Sequence, residues 1–129
     1  MKLNTVDAWH QLLKTRNTDD LDLLLSDKVV FHSPVTHTPQ AGKIITSVYL
    51  TVALSVFVNE SFNYVRQIIS DNDAALEFEV EIDGILVNGV DMIKWDDEGK
   101  IIDFKVSIRP LKAVNLIHKK MGELLQVAG

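Results

Sequence analysis

The stretch that decides the fold is Gly89-Val-Asp-Met-Ile-Lys-Trp-Asp-Asp-Glu-Gly-Lys-Ile-Ile-Asp-Phe-Lys-Val-Ser-Ile-Arg-Pro-Leu111. Two runs rich in β-branched and aromatic residues flank an acidic turn that ends in Gly99, a pattern typical of a β-hairpin. Pro110 suits the first turn of a following helix, because that turn has no use for the N–H that proline lacks. Asp91 interrupts an apolar strand face, where a carboxylate is costly unless it has a partner or a function.

The rest of the chain carries similar local patterns. Alternation and turn residues predict strands over residues 28–33, 61–70, 74–83, 85–95 and 100–109. Helical spacing predicts helices over residues 5–16, 19–25, 43–57 and 110–126, with a loop over residues 35–42. This order predicts one α+β domain over residues 1–129, with a curved, mostly antiparallel sheet and three to four helices packed on one face.

Composition excludes several classes of function. The chain has 129 residues, a net charge of -5 and no cysteine, so disulfides, thiolate metal sites and cysteine nucleophiles are excluded. An acidic chain without a basic cluster or a glycine-rich phosphate loop argues against nucleic acid, nucleotide cofactors and anionic membranes. The longest uncharged stretch, residues 44–58, is shorter than a membrane-spanning helix. We therefore expect a soluble cytoplasmic protein without a cofactor or metal.

The element order, the segment Val30-Phe-His-Ser-Pro34 and the stretch that begins at Gly89 resemble the nuclear transport factor 2-like superfamily, which includes SnoaL-like and ketosteroid isomerase-like proteins. The resemblance covers nearly the whole chain. It implies a cone-shaped, cystatin-like roll with a ligand pocket in the cone, and frequent homodimers. Members of the superfamily include isomerases, cyclases, hydrolases and proteins without catalysis, so the resemblance implies a fold and no single function.

Compared with ketosteroid isomerase, the chain keeps one of three functional positions. Ser33 stands where that family has a general-base Asp, and the position near Leu12 stands where it has a Tyr that donates to the oxyanion. Asp91 matches the protonated Asp of that family. The resemblance therefore argues against steroid isomerisation by that machinery.

Asp91 is the predicted catalytic residue. It shares a strand face with Val87, Ile93 and Trp95, and an apolar wall disfavours the charged carboxylate, so we expect a pKa above the usual value of about 3.9. Such a group can donate a hydrogen bond or act as a general acid. The alternative is a carboxylate at the pocket rim or in an ion pair with Arg66, which would lower the pKa instead.

The predicted ligand-binding side chains are mostly aromatic or aliphatic: Trp9, Leu13, Phe31, Ser33, Tyr49, Arg66, Phe78, Ile93, Trp95 and Phe104. Arg66 could hold a substrate carboxylate or lie in solvent. His32 and His37 are weaker candidates for a base near neutral pH. His32 is predicted to face outward, His37 lies in a loop, and no third metal ligand is near them in sequence.

Two functions remain open. The first is a SnoaL-like pocket protein that binds an apolar or weakly polar ligand in the cone. The alternative is an isomerase, cyclase or hydrolase of a small apolar substrate, with Asp91 as the acid; the missing base favours the first. We also expect a homodimer, because the strand over residues 85–95 is apolar on both faces and its outer face, with Leu86, Val90 and Met92, needs a second cover.

Overall fold

Helices and strands follow one another in nearly the predicted order in the computed structural model, which describes the backbone of residues 4–128 and the side chains of residues 4–125. The helices are α1 (Thr5–Thr15), α2 (Leu21–Leu24), α3 (Lys43–Phe57) and α4 (Leu111–Ala128). The strands are β1 (Leu25–His32), β2 (Gln40–Ala41), β3 (Asn63–Ile69), β4 (Asp73–Ile82), β5 (Ile85–Trp95) and β6 (Ile101–Arg109).

The six strands form one mixed, curved sheet in the order β2-β1-β6-β5-β4-β3. Strands β3 to β6 pair antiparallel with their sequence neighbours, as consecutive hairpins predict. Strand β1 pairs parallel with β6, and the short β2 pairs antiparallel with β1. The predicted α+β class is therefore confirmed, but residues 40–41 of the predicted loop form an edge strand.

Helix α1 is defined at both ends by local hydrogen bonds. The Asn4 side chain accepts from the Asp7 N–H at 2.8 Å, which caps the first turn. Arg16 ends the helix in a left-handed conformation, φ 56°, and its N–H bonds to the Leu12 carbonyl. The helix buries Val6, Trp9 and Leu12, so its apolar stripe faces the sheet. Within the residues that the structure describes, no helix is long and apolar enough to cross a membrane.

The core lies between the helices and the inner face of the sheet. Leu76, Phe78, Val80 and Ile82 of β4 are all buried, which confirms their predicted alternation. On β5, Val87 and Ile93 are buried while Leu86 and Met92, on the opposite face, are 58% and 52% exposed. The inner face therefore carries the core, and the outer face keeps an exposed apolar patch.

The missing side chain of Gly89 leaves space on β5 for the aromatic ring of Phe78. Gly89 pairs with Phe78 of β4, and a Cβ placed on Gly89 would lie 2.4 Å from the Phe78 Cζ and 2.8 Å from the Ser107 carbonyl oxygen. A side chain at this position would therefore displace the Phe78 ring or the neighbouring strand. The missing side chain leaves room for the ring two residues from Asp91.

A β-bulge in β3 changes which side chains face inward. Tyr64 pairs with Phe78 and Arg66 pairs with Glu77, so two steps along β3 correspond to one step along β4. The extra residue, Val65, breaks the alternation of period two. Tyr64 consequently lies on the inner face, while Arg66 is exposed opposite Glu77 on the outer face.

Candidate functional site

Asp91 lies in the middle of β5 with only 7% of its surface exposed. Val87, four residues before it, and Ile93, two residues after it, lie on the same inner face and are fully buried or nearly so. Burial among these apolar neighbours raises the Asp91 pKa from 3.8 to about 7, and a hydrogen bond from Tyr64 opposes that rise. The prediction of a buried inner-face carboxyl with a raised pKa is confirmed, and the alternative of an Arg66 ion pair is wrong because Arg66 points away.

A chain of hydrogen bonds joins α1, β3 and β5 at this point. The Trp9 Nε1–H donates to the Tyr64 hydroxyl oxygen at 2.9 Å. The Tyr64 hydroxyl donates to Asp91 Oδ2 at 2.6 Å. Burial, followed by the nearby Asp91 charge, raises the Tyr64 pKa well above its usual value, so Tyr64 stays protonated and keeps donating to Asp91.

The second carboxyl oxygen of Asp91 has no partner within the part of the chain that the structure describes. Only Oδ2 takes part in a side-chain hydrogen bond, and no fully enclosed side-chain oxygen or nitrogen among those residues lacks a partner. Oδ1 is therefore not fully enclosed, and Asp91 lines a cavity. A protonated Asp91 presents an O–H donor there, and an ionised Asp91 presents an acceptor.

The cavity beside Asp91 is small and apolar. Its volume is about 30 Å³, which is room for about two water molecules. Its wall consists of aliphatic side chains of α3 and of the aromatic rings of Trp9, Phe57, Phe62, Phe78 and Phe104. Asp91 and Tyr64 are the titratable groups among the described residues that line it. It suits one terminal polar group surrounded by hydrocarbon.

The structure brings Asp91 together with four of the predicted ligand-binding residues, Trp9, Leu13, Phe78 and Phe104. Phe31 and Ile93 are buried in the core, and Tyr49 packs against the Phe31 ring with centroids 5.8 Å apart. Ser33 is also buried, but its hydroxyl accepts from the Val35 N–H.

Trp95 and Arg66 also lie outside the cavity lining. Trp95 is half-buried at the end of β5, beside the acidic turn, and Arg66 is on the outer face. Alternation predicts the face of a strand residue but not its depth along the strand. Most of these residues are therefore on the inner face yet away from the cavity, and Arg66 is on the wrong face because of the bulge.

The histidines lie away from the cavity. His32 Nε2 is 2.9 Å from Asp103 Oδ1, across the parallel β1–β6 pair, which agrees with its predicted outward direction. His10 Nε2 is 2.9 Å from the Gln67 side-chain oxygen, and its ring edge meets Tyr64. His37 is exposed in its loop. Among residues 4–125, no group of three or more His, Asp or Glu side chains is placed to hold a metal ion.

Tyr64 is the polar residue of the candidate site that sequence reasoning missed. The resemblance placed a phenol on the first helix, whereas here the phenol that donates to Asp91 comes from β3. The available signal was the pair Phe62 and Tyr64, an apolar pattern that Arg66 interrupts two residues later. An interruption of this kind is compatible with a bulge, and a bulge between Tyr64 and Arg66 makes Tyr64 the inward residue.

A curved sheet whose inner face holds an apolar core and a buried carboxyl defines a class of cone-shaped domains that host small-molecule sites. Among solved structures, a steroid delta-isomerase from Pseudomonas aeruginosa matches with a TM-score of 0.90 at 36% identity, over 96% of this chain and 90% of that chain. An uncharacterized protein with a cystatin-like fold from Silicibacter pomeroyi matches with a TM-score of 0.87 at 27% identity, over 95% of this chain and 85% of that one.

A nuclear transport factor 2-like protein of unknown function from Cytophaga hutchinsonii matches with a TM-score of 0.64 at 17% identity, over 88% of this chain and 96% of that one, and so supports the fold alone. No family model matches the chain, and no curated protein matches it. The chain belongs to the nuclear transport factor 2-like superfamily, which also contains the ketosteroid isomerase-like proteins. The predicted resemblance and the cystatin-like fold are confirmed.

Proposed function

We propose that this protein binds a small apolar or weakly polar molecule, and that the cavity beside Asp91 receives the polar end of that molecule. The observation that carries the proposal is the pair of Asp91 and Tyr64 at the base of an otherwise apolar cavity, with Asp91 Oδ1 left without a partner among the described residues. Burying a carboxyl in this wall costs free energy, and a ligand hydrogen bond to Oδ1 offsets part of that cost.

The chemistry of the cavity favours some ligands over others. Below about pH 7 Asp91 is a neutral donor, which suits a ketone, ester or alcohol oxygen. No Lys or Arg is among the described residues that line the cavity, so phosphates and nucleotides gain nothing that offsets their desolvation. The volume of about 30 Å³ admits only the end of a ligand, so the hydrocarbon body extends toward the cavity mouth.

Thermal-shift screening at pH 6 tests this proposal, with medium-chain ketones and alcohols on one side and nucleotides on the other. We expect stabilisation by the lipophilic compounds only. Asp91→Leu should keep the fold and lose that stabilisation, Asp91→Asn should retain most of it through its amide N–H, and Asp97→Asn, in the exposed turn, is the matched control. Stabilisation by nucleotides but not by lipophilic compounds overturns the proposal.

The second candidate is an isomerase, cyclase or hydrolase that uses Asp91 as its acid. Two observations favour it: the solved protein that is 36% identical is described as a steroid delta-isomerase, and the Asp91 pKa of about 7 suits proton transfer near neutral pH. Asp91 and Tyr64 would stabilise charge that develops on a carbonyl oxygen.

This candidate stands second because the described lining residues include no further carboxylate or histidine to serve as the base. An absorbance assay tests this candidate: the substrate is an unsaturated ketosteroid, and the signal appears when its double bond moves into conjugation with the ketone. Turnover that Asp91→Leu abolishes and Asp97→Asn retains supports catalysis. Absence of turnover in the wild-type protein supports binding alone.

We also propose a homodimer formed through the outer face of the sheet. Ile68 and Met92, on either side of Ala75, are 57% and 52% exposed there, and Leu86 near the other end of β5 is 58% exposed. Exposed apolar side chains of this kind on one sheet face favour a partner that covers them. Sedimentation at micromolar concentration should give a dimer, and Met92→Glu should give a monomer with unchanged secondary structure. A wild-type monomer at that concentration contradicts this proposal.

A further inference from the structure

A second, larger cavity lies next to the cavity beside Asp91, between α1 and the end of α3. The outer cavity has a volume of about 230 Å³. Leu13, Leu54 and Val58 line both cavities. These three apolar side chains are therefore the boundary that the two cavities share, with Asp91 on the far side of the inner cavity.

A cationic side chain, that of Arg16, borders the outer cavity. Arg16 lines the outer cavity, together with the hydroxyl-bearing side chains of Thr18, Thr51 and Ser55. Within the part of the chain that the structure describes, the Arg16 guanidinium has no carboxylate within 4.0 Å and takes part in no side-chain hydrogen bond. The positive charge of Arg16 is opposite in sign to the net charge of the whole chain, which is -5.

The backbone holds Arg16 at a defined place. Its N–H donates to the Leu12 carbonyl at 2.8 Å and closes α1, so the side chain starts from the end of a packed helix. Trp9, which is linked to Asp91 through Tyr64, lies seven residues earlier on the same helix. At a rise of about 1.5 Å per residue, Trp9 and Arg16 are separated by about 10 Å along the axis of α1.

We propose that one ligand, an amphipathic carboxylate, passes between Leu13, Leu54 and Val58 and occupies both cavities. Its anionic end pairs with Arg16, and its far end carries a hydroxyl or carbonyl oxygen that bonds to Asp91. This inference rests on the proposed binding function and names its ligand class. A guanidinium binds a carboxylate through two parallel hydrogen bonds. From a C–C bond of about 1.5 Å, an extended chain of roughly eight to ten carbons covers about 10 Å, with its hydrocarbon against Leu13, Leu54 and Val58.

Isothermal titration at pH 6 with ω-hydroxydecanoate, decanoate, decanol and decylamine tests the proposal. We expect ω-hydroxydecanoate to bind most tightly, decanoate more tightly than decanol, and decylamine most weakly. Arg16→Gln should weaken both carboxylates by about three- to tenfold and leave decanol unchanged, because an exposed charged pair contributes modestly. Arg16→Lys should keep part of the preference, since it keeps the charge but loses the paired hydrogen bonds.

Arg66→Gln is the matched control, since it removes the same charge from the outer face of the sheet. It should leave all four affinities unchanged, and thermal melts should give the same unfolding midpoint for the wild-type protein and for the Arg16 and Arg66 variants. Equal binding of decanoate and decanol, or carboxylate binding that Arg16→Gln does not weaken, overturns the ligand class. The binding function then still stands if Asp91→Leu abolishes decanol binding, whereas failure of all four compounds to bind overturns both.

Discussion

Replacing Asp91 with Asn should stabilise the protein, and by more as the pH rises. The folded protein raises the Asp91 pKa from 3.8 to about 7, so the folded state holds this proton more tightly than the unfolded chain does. Between those two pKa values the unfolded chain releases the proton first, so rising pH lowers the free energy of unfolding. Above about pH 7 both states are ionised and the whole cost of burying the charge is present.

The size of the effect follows from the same two pKa values. One pKa unit corresponds to about 1.36 kcal/mol, so the rise from 3.8 to about 7 corresponds to about 4 kcal/mol at high pH. Asn has no charge to bury, and its carbonyl still accepts the Tyr64 hydroxyl. Relative to the wild-type protein, Asp91→Asn should therefore gain about 2.5 kcal/mol in unfolding free energy between about pH 5 and pH 8.

Urea denaturation at several pH values from about 5 to 8 measures this difference, with an unchanged m-value as evidence that the denatured state is the same. Asp97→Asn is the control, because Asp97 is exposed in the turn between β5 and β6. Its unfolding free energy should follow the wild-type curve. If the gain of Asp91→Asn does not change with pH, or becomes a loss at pH 8, burial is not what sets the Asp91 pKa and the site argument fails.

Three further outcomes follow from the same geometry. Gly89→Ala should lower the unfolding free energy by about 1–3 kcal/mol, since the new methyl group would lie 2.4 Å from a carbon of the Phe78 ring. Gly122→Ala, on a helix with open space at that position, should instead raise it by about 0.5–1 kcal/mol. Equal effects of the two substitutions in chemical denaturation would contradict this. Tyr64→Phe should raise the Asp91 pKa further, because the Tyr64 hydrogen bond lowers it; a fall in the NMR titration of the Asp91 carboxyl would refute the role of that bond. A medium-chain methyl ketone should bind more weakly above about pH 7, where Asp91 becomes a carboxylate and no longer donates, and calorimetry that shows pH-independent affinity would count against Oδ1 as its partner.

The sequence by itself was enough for the element order, the sheet-forming hairpins and the identity of the buried carboxyl. Period-two alternation in β4 and β5 reports which face is buried, because one face of a sheet packs on the core. A carboxylate at an inward position of that alternation, as at Asp91, is visible without coordinates. The acidic turn at residues 96–99 and the proline before α4 are also local signals, set by backbone geometry that a few residues determine.

Only the tertiary structure decided the partners of Asp91. The bulge at Val65 exchanges the faces of the residues that follow it in β3, so Arg66 faces outward although Tyr64, two residues earlier, faces inward. Such a register shift depends on pairing with β4. Periodicity reports which face of a helix or strand is buried, but not how far along the element a site lies. The structure was therefore needed to place Trp9 of α1 beside the site and Trp95 of β5 away from it. The cavity that Arg16 borders lies between α1 and α3, two segments far apart in sequence, and no local pattern encodes how they are placed.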